Sequence, residues 1–507
     1  MSARCHAPSS GFLFQARIRA IEREHLDADP PAPLMARAAL AVADAADHLL
    51  RQMPGRTRVL AAIGPGNNGA DALLCLQTLA RRGYRVEAHL LHEGEPGPPE
   101  AVAVHRQWLA AGGVVAPLQS LHRRLGDGPA PLLIDGLFGI GLSRPLGGSA
   151  ARFAALTSRL EGPVLAVDVP SGLDPDTGSV VGGPLAAAVH ATHTVTMIAD
   201  KPGLWTGQGR LHAGQVSLAS LGLPASVPDG LRIDRQWVRA RLAHRSPVAH
   251  KGTFGTVAIV GGAAGMPGAA LLAAAGARAS GAGKVATLGP DGAVFDPGEP
   301  QTMAWQAERP SEFDALLATT DAIAVGCGLG QGTAARGLLG QALRQAVPLC
   351  LDADALNLLA ATAAQDRARI LMRERADLGR PTVITPHPLE AARLLGCSAR
   401  DIEQNRIGQA LALATRFACV VLLKGAGSVL AAPDGRWALI TSGGPALATG
   451  GTGDVLAGLV TGLLAQGHSG WEAAAVAAWI HGDAADRWTV GHPRARGLSA
   501  PALVHTS

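Results

Sequence analysis

The stretch RVLAAIGPGNNGADALLCLQTLARRGYRVEAHLL, residues 58–91, decides the fold class of the N-terminal half. It opens with an apolar run, passes through a loop of glycine and asparagine, continues with helical spacing of leucines, and ends in a second apolar run. Continuous apolar strands joined by a helix are typical of a parallel sheet that helices cover on both faces. The stretch therefore predicts a strand–helix–strand unit of the α/β class.

The same pattern continues along the chain, stops once, and then restarts. Further strand-like runs of the first half cover residues 131–139, 163–172 and 193–199. The segment around 220–235 contains two prolines and no clear periodicity, which favours a domain boundary. Beyond it, apolar runs recur at residues 255–262, 284–290, 322–330, 348–359, 382–395 and 418–432. We expect two three-layer αβα domains, over residues 1–225 and 235–507.

Composition narrows the classes of function. With 48% hydrophobic and 17% charged residues, the chain has ample material for packed cores. The net charge of +4 and the aromatic content of 3% do not indicate a nucleic-acid partner. The six cysteines form no CxxC pair, which suits a reducing cytoplasm.

No segment indicates export or a membrane anchor. The start MSARCHAPSSGFLF lacks the apolar core of a signal peptide. Residues 255–277 form the longest uncharged apolar stretch, but they include six glycines and Pro267, so strand–turn–helix is the better interpretation. We expect a cytoplasmic protein with no membrane partner, and we expect it to form a homo-oligomer.

Unusual residues cluster directly after the predicted strands. In open parallel sheets, ligands bind beyond the carboxyl ends of the strands. A turn explains one or two such loops, whereas seven of them favour two ligand sites. The seven loops are GPGNNGAD, DGLFGIG, DVPSG, GCGLG, TPHPLE, KGAGS and GGTGD.

TGGTGDVLAG, residues 449–458, is a glycine-rich loop that leads into an apolar helix. Backbone N–H groups at such a helix start can hold an anion, here a transferring phosphoryl group. Asp454 would then accept the proton of the attacking hydroxyl. The alternative is a turn in which Asp454 caps the helix. Lys424, at the end of a strand, would meet nucleotide phosphates, or else form a strand-end salt bridge.

Two further pairs of titratable residues lie near strand ends of the second half. His387 and Glu390 are three residues apart at a helix start, where they can face one pocket, although helix capping also explains them. Asp352 and Asp354 flank another strand end, where turn and capping roles are equally open. Mg²⁺ would be held mainly by nucleotide phosphates with one or two carboxylates.

The motifs of the second half resemble a known family in their order along the chain. HKGTFGTVAIVGG, GMPGAA, GCGLG, LDADALNLL, ITPHPLE, LLKGAGSVL and ATGGTGDVLAG, within about residues 245–490, resemble the ribokinase-like dehydratase domain of NAD(P)H-hydrate repair enzymes. The resemblance implies dehydration of S-NADHX or S-NADPHX, driven by ADP (ATP in eukaryotes), with AMP and phosphate as products of ADP. It also implies substrate contacts and adenine-nucleotide contacts. The substrate contacts are Ala269, Gly328, His387 and Asp454, and the nucleotide contacts are Lys424, Gly425, Ala426, Gly427, Ser428 and Gly453.

The first half, over about residues 12–222, resembles the companion epimerase domain, a Rossmann-like fold. GPGNNGADAL, DGLFGIGLSRP and DVPSGLD carry the likeness, although each alone is also a plausible turn. The resemblance implies interconversion of R- and S-NAD(P)HX, with Asp168 as acid–base candidate, and K⁺ held by Asn68, Asp135 and Ser171. The implied substrate contacts are Asn67, Asn68, Gly69, Ala70, Asp71, Gly139, Ile140, Gly141, Leu142, Ser143, Arg144, Pro145 and Asp168.

Several residues depart from the family patterns. Cys327 and Ser428 replace a usual proline and threonine in the second half, which are mild changes. In the first half, Ala70 replaces a glycine of the NNGGD pattern, and a backbone with positive φ would be strained there. The other departures in the first half are Ala39, Gly136 and Ile140, which replace glycine, alanine and threonine. We therefore expect a weakened or altered epimerase half and an intact dehydratase half.

Two rival functions stay open. One is a ribokinase-like small-molecule kinase with a non-catalytic first domain, which predicts a stable phosphorylated product. The other is a first domain that acts as an interaction or RNA-binding module. His387 at the family position and the retained acidic residues of the first half favour the repair enzyme. The sequence leaves open whether NADHX or NADPHX is the preferred substrate and whether ADP or ATP is the co-substrate. The Arg- and Ala-rich composition resembles that of bacterial proteins, which favours ADP.

Overall fold

A computed structural model of the protein describes residues 11–28, 33–53, 55, 57–91, 97–242, 244–307, 309–492 and 494–506. The chain forms two compact units, Met1–Leu231 and Arg232–Ser507. The division falls inside the segment around 220–235 that the sequence marks as a boundary. Cys5 and the first ten residues, part of the stretch on which the prediction of no signal peptide rests, lie outside the described residues.

The first unit contains a seven-stranded parallel sheet in the order β4-β3-β2-β5-β6-β7-β8. A short strand, β1 (Gly11–Phe12), pairs antiparallel with residues 230 and 231. The sheet strands are β2 (Arg58–Ile63), β3 (Arg85–Leu90), β4 (Val115–Pro117), β5 (Leu132–Gly136), β6 (Val164–Val167), β7 (His193–Met197) and β8 (Gln215–Ala219).

Helices cover both faces of this sheet. They are α1 (Gln15–Leu26), α2 (Leu34–Arg51), α3 (Asn67–Arg81), α4 (Pro99–Ala110), α5 (Leu121–Arg124), α6 (Gly148–Thr157) and α7 (Gly209–His212), with 3₁₀ turns at Leu118–Ser120 and Pro202–Leu204. Successive side chains of a strand point to opposite faces. Val59 of β2 accordingly packs in the core under α2, α3 and α4, whereas Leu60 packs in the core under α6. The three-layer prediction is confirmed.

The second unit contains a mixed sheet in the order β18-β17-β16-β15-β14-β13-β10-β11-β12. Its strands are β9 (Gly230–Ile233), which contains the division point, β10 (Thr256–Val260), β11 (Lys284–Leu288), β12 (Met303–Trp305), β13 (Ala322–Val325), β14 (Leu349–Leu351), β15 (Thr382–Ile384), β16 (Val420–Leu423), β17 (Val429–Ala431) and β18 (Trp437–Ile440). Neighbouring strands from β12 to β16 in this order pair in parallel, whereas β17 pairs antiparallel with both β16 and β18. The run 418–432 is therefore two strands, because the KGAGS loop reverses the chain.

The helices of the second unit include two that cross with their backbones in contact. The helices are α8 (Arg235–Arg239), α9 (Pro267–Ala279), α10 (Pro310–Leu317), α11 (Thr333–Arg344), α12 (Asp354–Ala360), α13 (Thr362–Asp377), α14 (Pro388–Leu395), α15 (Ala399–Gln404), α16 (Arg406–Phe417), α17 (Thr452–Ala465), α18 (Gly470–Val490) and α19 (Ala500–Thr506), with 3₁₀ turns at Lys251–Phe254 and Pro445–Leu447. A Cβ at Gly276 of α9 would lie 2.1 Å from the Val455 carbonyl oxygen. A Cβ at Gly458 of α17 would lie 1.9 Å from the Ala273 carbonyl oxygen, so only glycine permits this approach.

Residues 255–277 form β10, a turn and most of α9, as the glycine and proline positions predict. None of the helices in the described ranges has the length and apolar character needed to cross a membrane.

Candidate active sites

A cavity of about 780 Å³ opens at the carboxyl ends of the strands of the first unit. The N-terminal turn of α3, the loop after β5 and the residues after β6 and β7 line it, together with α1 and α2. The structure thus brings several predicted substrate contacts to one cavity: Asn67, Asn68, Asp71, Gly139, Ile140, Gly141, Leu142 and Asp168.

Other predicted contacts of the first unit do not line this cavity. Gly69 and Ala70 border a separate cavity of about 60 Å³. Ser143, Arg144 and Pro145 are exposed and are not among the residues that line the large cavity. The condition under which Ala70 would be strained is not met, because Ala70 lies within α3 and is not among the described residues with positive φ.

Asp168 pairs with a lysine that is fully buried. Lys201 Nζ donates a hydrogen bond to Asp168 Oδ1 at 2.7 Å, and the exposed fraction of the Lys201 side chain is 0%. The Met197 backbone N–H donates to the same oxygen at 3.0 Å. Asp168 itself has φ of 66°, a left-handed conformation that is strained for a non-glycine residue and that clusters at functional sites. The structure therefore holds the Asp168 carboxylate in one position at the wall of the cavity.

Two further carboxyl groups line the same cavity. Burial raises the pKa of Asp71 well above its usual value, and the charges of Asp168 and Glu22 add to the rise. Burial, and then the charge of Asp168, also raises the pKa of Glu22, which lies on α1. None of the sequence motifs includes Glu22, and only the fold brings it to Asp168.

Asp135 and Ser171 contact each other in the interior of the first unit, and neither is among the residues that line the large cavity. Ser171 donates from its hydroxyl to Asp135 Oδ1 at 2.7 Å and from its backbone N–H to Oδ2 at 2.8 Å. Burial raises the pKa of Asp135 to about 6, although the Ser171 hydrogen bonds oppose that rise. Asn68, the third predicted K⁺ ligand, lies beside the loop after β5, since its side-chain oxygen is 3.1 Å from where a Cβ at Gly139 would stand. A buried carboxylate, a hydroxyl and an amide oxygen are the hard donors that K⁺ prefers.

The remaining departures of the first unit have local explanations. A Cβ at Gly136 would lie 2.4 Å from the Ala72 methyl, so Ala72 fills the space that an alanine at 136 would need. Ile140 packs against two apolar clusters with its side chain, and its carbonyl accepts a hydrogen bond from the Gln15 amide. Ala39 is buried in α2.

The second unit places Lys424 against Asp352 and Gly453. Lys424 Nζ donates to Asp352 Oδ1 at 2.7 Å, with exposed fractions of 18% and 3% for the two side chains. A Cβ at Gly453 would lie 3.4 Å from Lys424 Nζ and 3.8 Å from Asp352 Oδ2. Although burial lowers it, the charges of Asp352 and Glu390 raise the pKa of Lys424 overall. The ammonium therefore lies beside the first turn of α17.

Asp454 lies in that first turn, after Gly451 with its left-handed φ of 88°. Burial raises the pKa of the Asp454 carboxyl to about 6, and the charge of Asp352 adds to the rise, while Cys327 and Lys424 oppose it. A carboxylate with a pKa near the working pH is suited to accept a proton.

His387 and Glu390 form a capping box at the start of α14. His387 Nδ1 accepts from the backbone N–H groups of Leu389 and Glu390, and Glu390 Oε2 accepts from the His387 N–H at 2.8 Å. Burial and the charge of Lys424 lower the pKa of His387, which favours its neutral form. Burial raises the pKa of Glu390 to about 7, although Lys424 opposes the rise. The capping interpretation thus describes the local contacts of both residues.

The KGAGS loop depends on a buried arginine that the sequence does not single out. Arg406 has an exposed fraction of 0%, and it donates to the backbone oxygens of Leu423 at 3.3 Å and Lys424 at 3.0 Å. A Cβ at Gly425, where φ is 139°, would lie 2.7 Å from the Arg406 guanidinium. Ser428, further along the loop, donates from its hydroxyl to the Gly425 oxygen at 3.4 Å. Arg406 therefore fixes the backbone that presents Lys424, Gly425, Ala426, Gly427 and Ser428.

The GCGLG loop lies beside the start of α9. A Cβ at Gly328 would lie 3.0 Å from the Ala269 methyl, so these two predicted substrate contacts are neighbours. Asp354 Oδ2 accepts from the Gly330 N–H at 2.8 Å and so fixes this loop rather than facing Lys424. Cys327 is buried and hydrogen-bonds to Asp454.

The fold and the two sites define an α/β protein of two units, each with a candidate active site. The site of the second unit includes a glycine-rich loop at a helix start, a feature typical of phosphate-binding sites. Comparison with known proteins agrees unit by unit. Residues 31–203 match the model of the YjeF-related protein N-terminus, and residues 257–506 match the model of NAD(P)H-hydrate dehydratase. The chain belongs to the family of bifunctional NAD(P)H-hydrate repair enzymes, as the order of its motifs predicts.

Full-length relatives cover most of the chain. The bifunctional NAD(P)H-hydrate repair enzyme of Vibrio cholerae is 37% identical over 435 residues, covering 84% of this chain and 83% of the relative. That of Moorella thermoacetica is 34% identical, covering 90% and 88%. Among solved structures, the ADP/ATP-dependent NAD(P)H-hydrate dehydratase from Bacillus subtilis, co-crystallised with ATP and Mg²⁺, is 33% identical with a TM-score of 0.46, covering 54% of this chain and 95% of that one.

Proposed function

We propose that this protein repairs hydrated NADH and NADPH in the cytoplasm by two reactions, one in each unit. The first unit interconverts R- and S-NAD(P)HX, and the second dehydrates the S form with ADP as co-substrate. The observation that carries the proposal is the ion pair of Lys424 with Asp352 beside Gly453 and Asp454, at the start of α17. We further propose that the protein works as a homo-oligomer.

In the second unit, Asp454 accepts the proton of the C6 hydroxyl of the substrate. The hydroxyl oxygen then attacks the terminal phosphorus of ADP, and AMP leaves. The bond from C6 to the phosphorylated oxygen breaks next, and its electron pair leaves with the phosphate. The neighbouring ring carbon C5 gives a proton to solvent, and its C–H electron pair forms the C5=C6 double bond of NAD(P)H. Phosphate is a far better leaving group than hydroxide, which explains why a lyase uses a phosphoryl-transfer site.

The nucleotide lies, in this proposal, over the loop from Lys424 to Ser428 and over Gly453. Lys424 meets its phosphates, and the N–H groups at the start of α17 stabilise the charge that develops during transfer. Ala269, Gly328 and His387 border the substrate. His387 is 46% exposed despite its capping role, so its ring remains available for such a contact.

The carboxylates around Lys424 fit a divalent cation. The charges of Asp352 and Glu390 both raise the pKa of the Lys424 ammonium, so two carboxyl groups act on one ammonium at this site. Glu390 would be the carboxylate that helps nucleotide phosphates to hold Mg²⁺. When bound, Mg²⁺ neutralises phosphate charge.

In the first unit, the large cavity receives the hydrated nicotinamide ring. Asp168, held by Lys201, exchanges protons with the C6 oxygen or with water. Asn68, Asp135 and Ser171 would hold K⁺, which compensates the buried Asp135 charge. The helical backbone at Ala70 removes one reason to expect a weak epimerase. The expectation is still supported by Ile140, which lacks the hydroxyl of the threonine that is usual in the family at this position.

One assay separates this function from its rivals. Purified protein is mixed with R- or S-NADHX, ADP or ATP, and Mg²⁺, and NADH absorbance at its characteristic band is followed. Formation of NADH from both isomers faster than the spontaneous rate supports both reactions. Formation of NADH from the S isomer alone excludes the epimerase function. A stable phosphorylated product with no NADH indicates the kinase alternative, and no reaction with either nucleotide overturns the proposal.

A further inference from the structure

Glu22 lines the same cavity as Asp168 but lies on a different element, α1. It is partly exposed, and Arg19 of the same helix also lines the cavity. Besides these two, the charged groups that face the cavity are Asp71 on α3, the exposed Glu100 on α4, and the pair of Asp168 with Lys201. Carboxyl groups therefore outnumber buried cations in this space.

The buried ammonium is already committed. Lys201 Nζ has three N–H groups, and it donates to Asp168 Oδ1 at 2.7 Å, to the Met197 oxygen at 2.9 Å and to Thr196 Oγ1 at 3.0 Å. All three N–H groups of the ammonium therefore have acceptors, and Asp168 is the one carboxyl group among them. Asp168 is thus the carboxyl group of the cavity that is ion-paired with the buried lysine.

Glu22 has the opposite environment. Burial raises the pKa of Glu22 and the Asp168 charge raises it further, while Lys201 and Arg19 only partly oppose the rise. Glu22 therefore keeps its proton to higher pH than an exposed glutamate. Two carboxyl groups in one cavity with different surroundings, one ion-paired with a buried lysine and the other partly exposed to solvent, are the arrangement in which acid–base enzymes assign different roles.

We propose that Glu22 is the second acid–base residue of the epimerase site and acts opposite Asp168. This role rests on the proposed epimerase function of the first unit. Glu22 protonates the C6 hydroxyl as it leaves the ring, and Asp168 takes a proton from the water that adds at C6.

The step is balanced in atoms and electrons. The C6–O bond breaks, its electron pair stays with the oxygen, and the proton of Glu22 turns that oxygen into water. The lone pair of the ring nitrogen forms a C=N bond to C6. Water then adds to C6 from the other face, the C=N pair returns to nitrogen, and Asp168 receives the released proton. Solvent returns a proton to Glu22 and removes one from Asp168.

Access to solvent favours Glu22 over Asp71 for this role. Asp71 is only 8% exposed, and its Oδ1 is buried and has no hydrogen-bond partner within the described ranges. A general acid must regain its proton in each turnover, which a partly exposed side chain does more readily. Asp71 then serves as a neutral group that contacts the substrate.

The test compares E22Q, E22D and D71N in the full chain with R-NADHX, ADP and Mg²⁺. For E22Q we expect the rate from the R isomer, above the spontaneous rate, to fall at least about 100-fold, the usual lower range for loss of a general acid. The rate from the S isomer should not change, because it depends on the second unit alone. E24Q is the matched control, since Glu24 is exposed on the same helix and does not line the cavity.

The pH profile separates catalysis from a structural role. The wild-type kcat/KM for the R isomer should fall on the basic side as Glu22 loses its proton, and E22Q should lose this basic limb. E22D should keep the limb at a reduced rate, and D71N should keep it as well. A wild-type R rate in E22Q, or loss of the limb in D71N but not in E22Q, overturns the role. If the wild type does not accelerate R conversion at all, the epimerase function fails, and this role with it.

Discussion

Lys424 Nζ and Asp352 Oδ1 lie 2.7 Å apart, and both side chains border Gly453 at the start of α17. Lys201 and Asp168 are joined at the same distance in the first unit. Each unit therefore places a lysine–aspartate pair at its candidate site. Because the lysines in both pairs are mostly or fully buried, removing one partner leaves a charge that the surroundings cannot solvate.

Replacing Lys424 by methionine should weaken ADP binding and destabilise the second unit. The phosphates lose their cation, so we expect ADP affinity to fall at least about tenfold. Asp352 would stay buried without its cationic partner, at a cost of about 3 kcal/mol. Calorimetry of the full chain, with ADP added to identify the transition of the second unit, measures both effects. K424M/D352N should recover stability but not ADP affinity, and K284M, at an exposed lysine, should change neither.

Asp454→Asn should abolish recovery of S-NADHX and spare ADP binding, because only the proton acceptor is lost. In the wild type, Asp454 must be ionised to act. Since burial raises its pKa to about 6, kcat/KM should be constant well above pH 6 and fall tenfold per unit below it. Stopped assays from pH 4.5 to 8 measure the profile. D377N, an exposed aspartate on α13, is the control. Full activity in D454N, or a profile with no acidic limb, would remove Asp454 from the mechanism.

Lys201→Met should stop conversion of R-NADHX while S-NADHX is still dehydrated. The substitution leaves Asp168 in its left-handed conformation without the ammonium that holds it. We also expect the first unit to lose about 3 kcal/mol of stability, because Lys201 is fully buried with four acceptors around it. Rates with separate isomers and the unfolding transition of the first unit test this. Normal conversion of the R isomer in K201M contradicts the assigned role.

K⁺ should stabilise the first unit through Asp135. The carboxylate is buried, and within the described residues its hydrogen bonds come from the neutral groups of Leu137 and Ser171, so a cation bound to it favours the folded state. The unfolding temperature should be higher in KCl than in choline chloride at equal ionic strength. D135N and S171A should remove the difference, whereas D127N, at an exposed aspartate, should retain it. Equal unfolding temperatures of the wild type in both salts would exclude a K⁺ site.

The sequence predicts the architecture well because apolar periodicity reports it directly. Strand–helix alternation predicts the parallel sheet of the first unit and the parallel part of the mixed sheet in the second, and several loops after the strands of the first unit line one cavity as expected. The antiparallel strands β17 and β18 escape prediction, since a buried strand has the same apolar run in either direction. The capping box of His387 with Glu390 shows a local use of residues that spacing alone could not distinguish from a ligand pair.

The residues that the sequence does not place depend on distant contacts. Lys201 reaches Asp168 across 33 residues, and Glu22 reaches the cavity from a helix with no motif. One signal for Lys201 is composition: the chain has four lysines against 40 arginines, so a lysine can mark a position where a compact ammonium is needed. Lys201 and Lys424 fit this interpretation. Lys251, which also stands in a glycine-flanked segment, is exposed, as is Lys284, so the signal selects only half of the lysines.

The backbone contact between α9 and α17 limits how this enzyme can be stabilised. In an exposed helix, exchanging glycine for alanine gains about 1 kcal/mol. At Gly276 and Gly458 the same exchange would drive a methyl group into a carbonyl oxygen of the opposite helix. Alanine at either position would therefore push α17 away from α9 and displace Asp454, which lies in the first turn of α17. Thermostable variants must therefore be sought at exposed positions rather than at these two buried glycines.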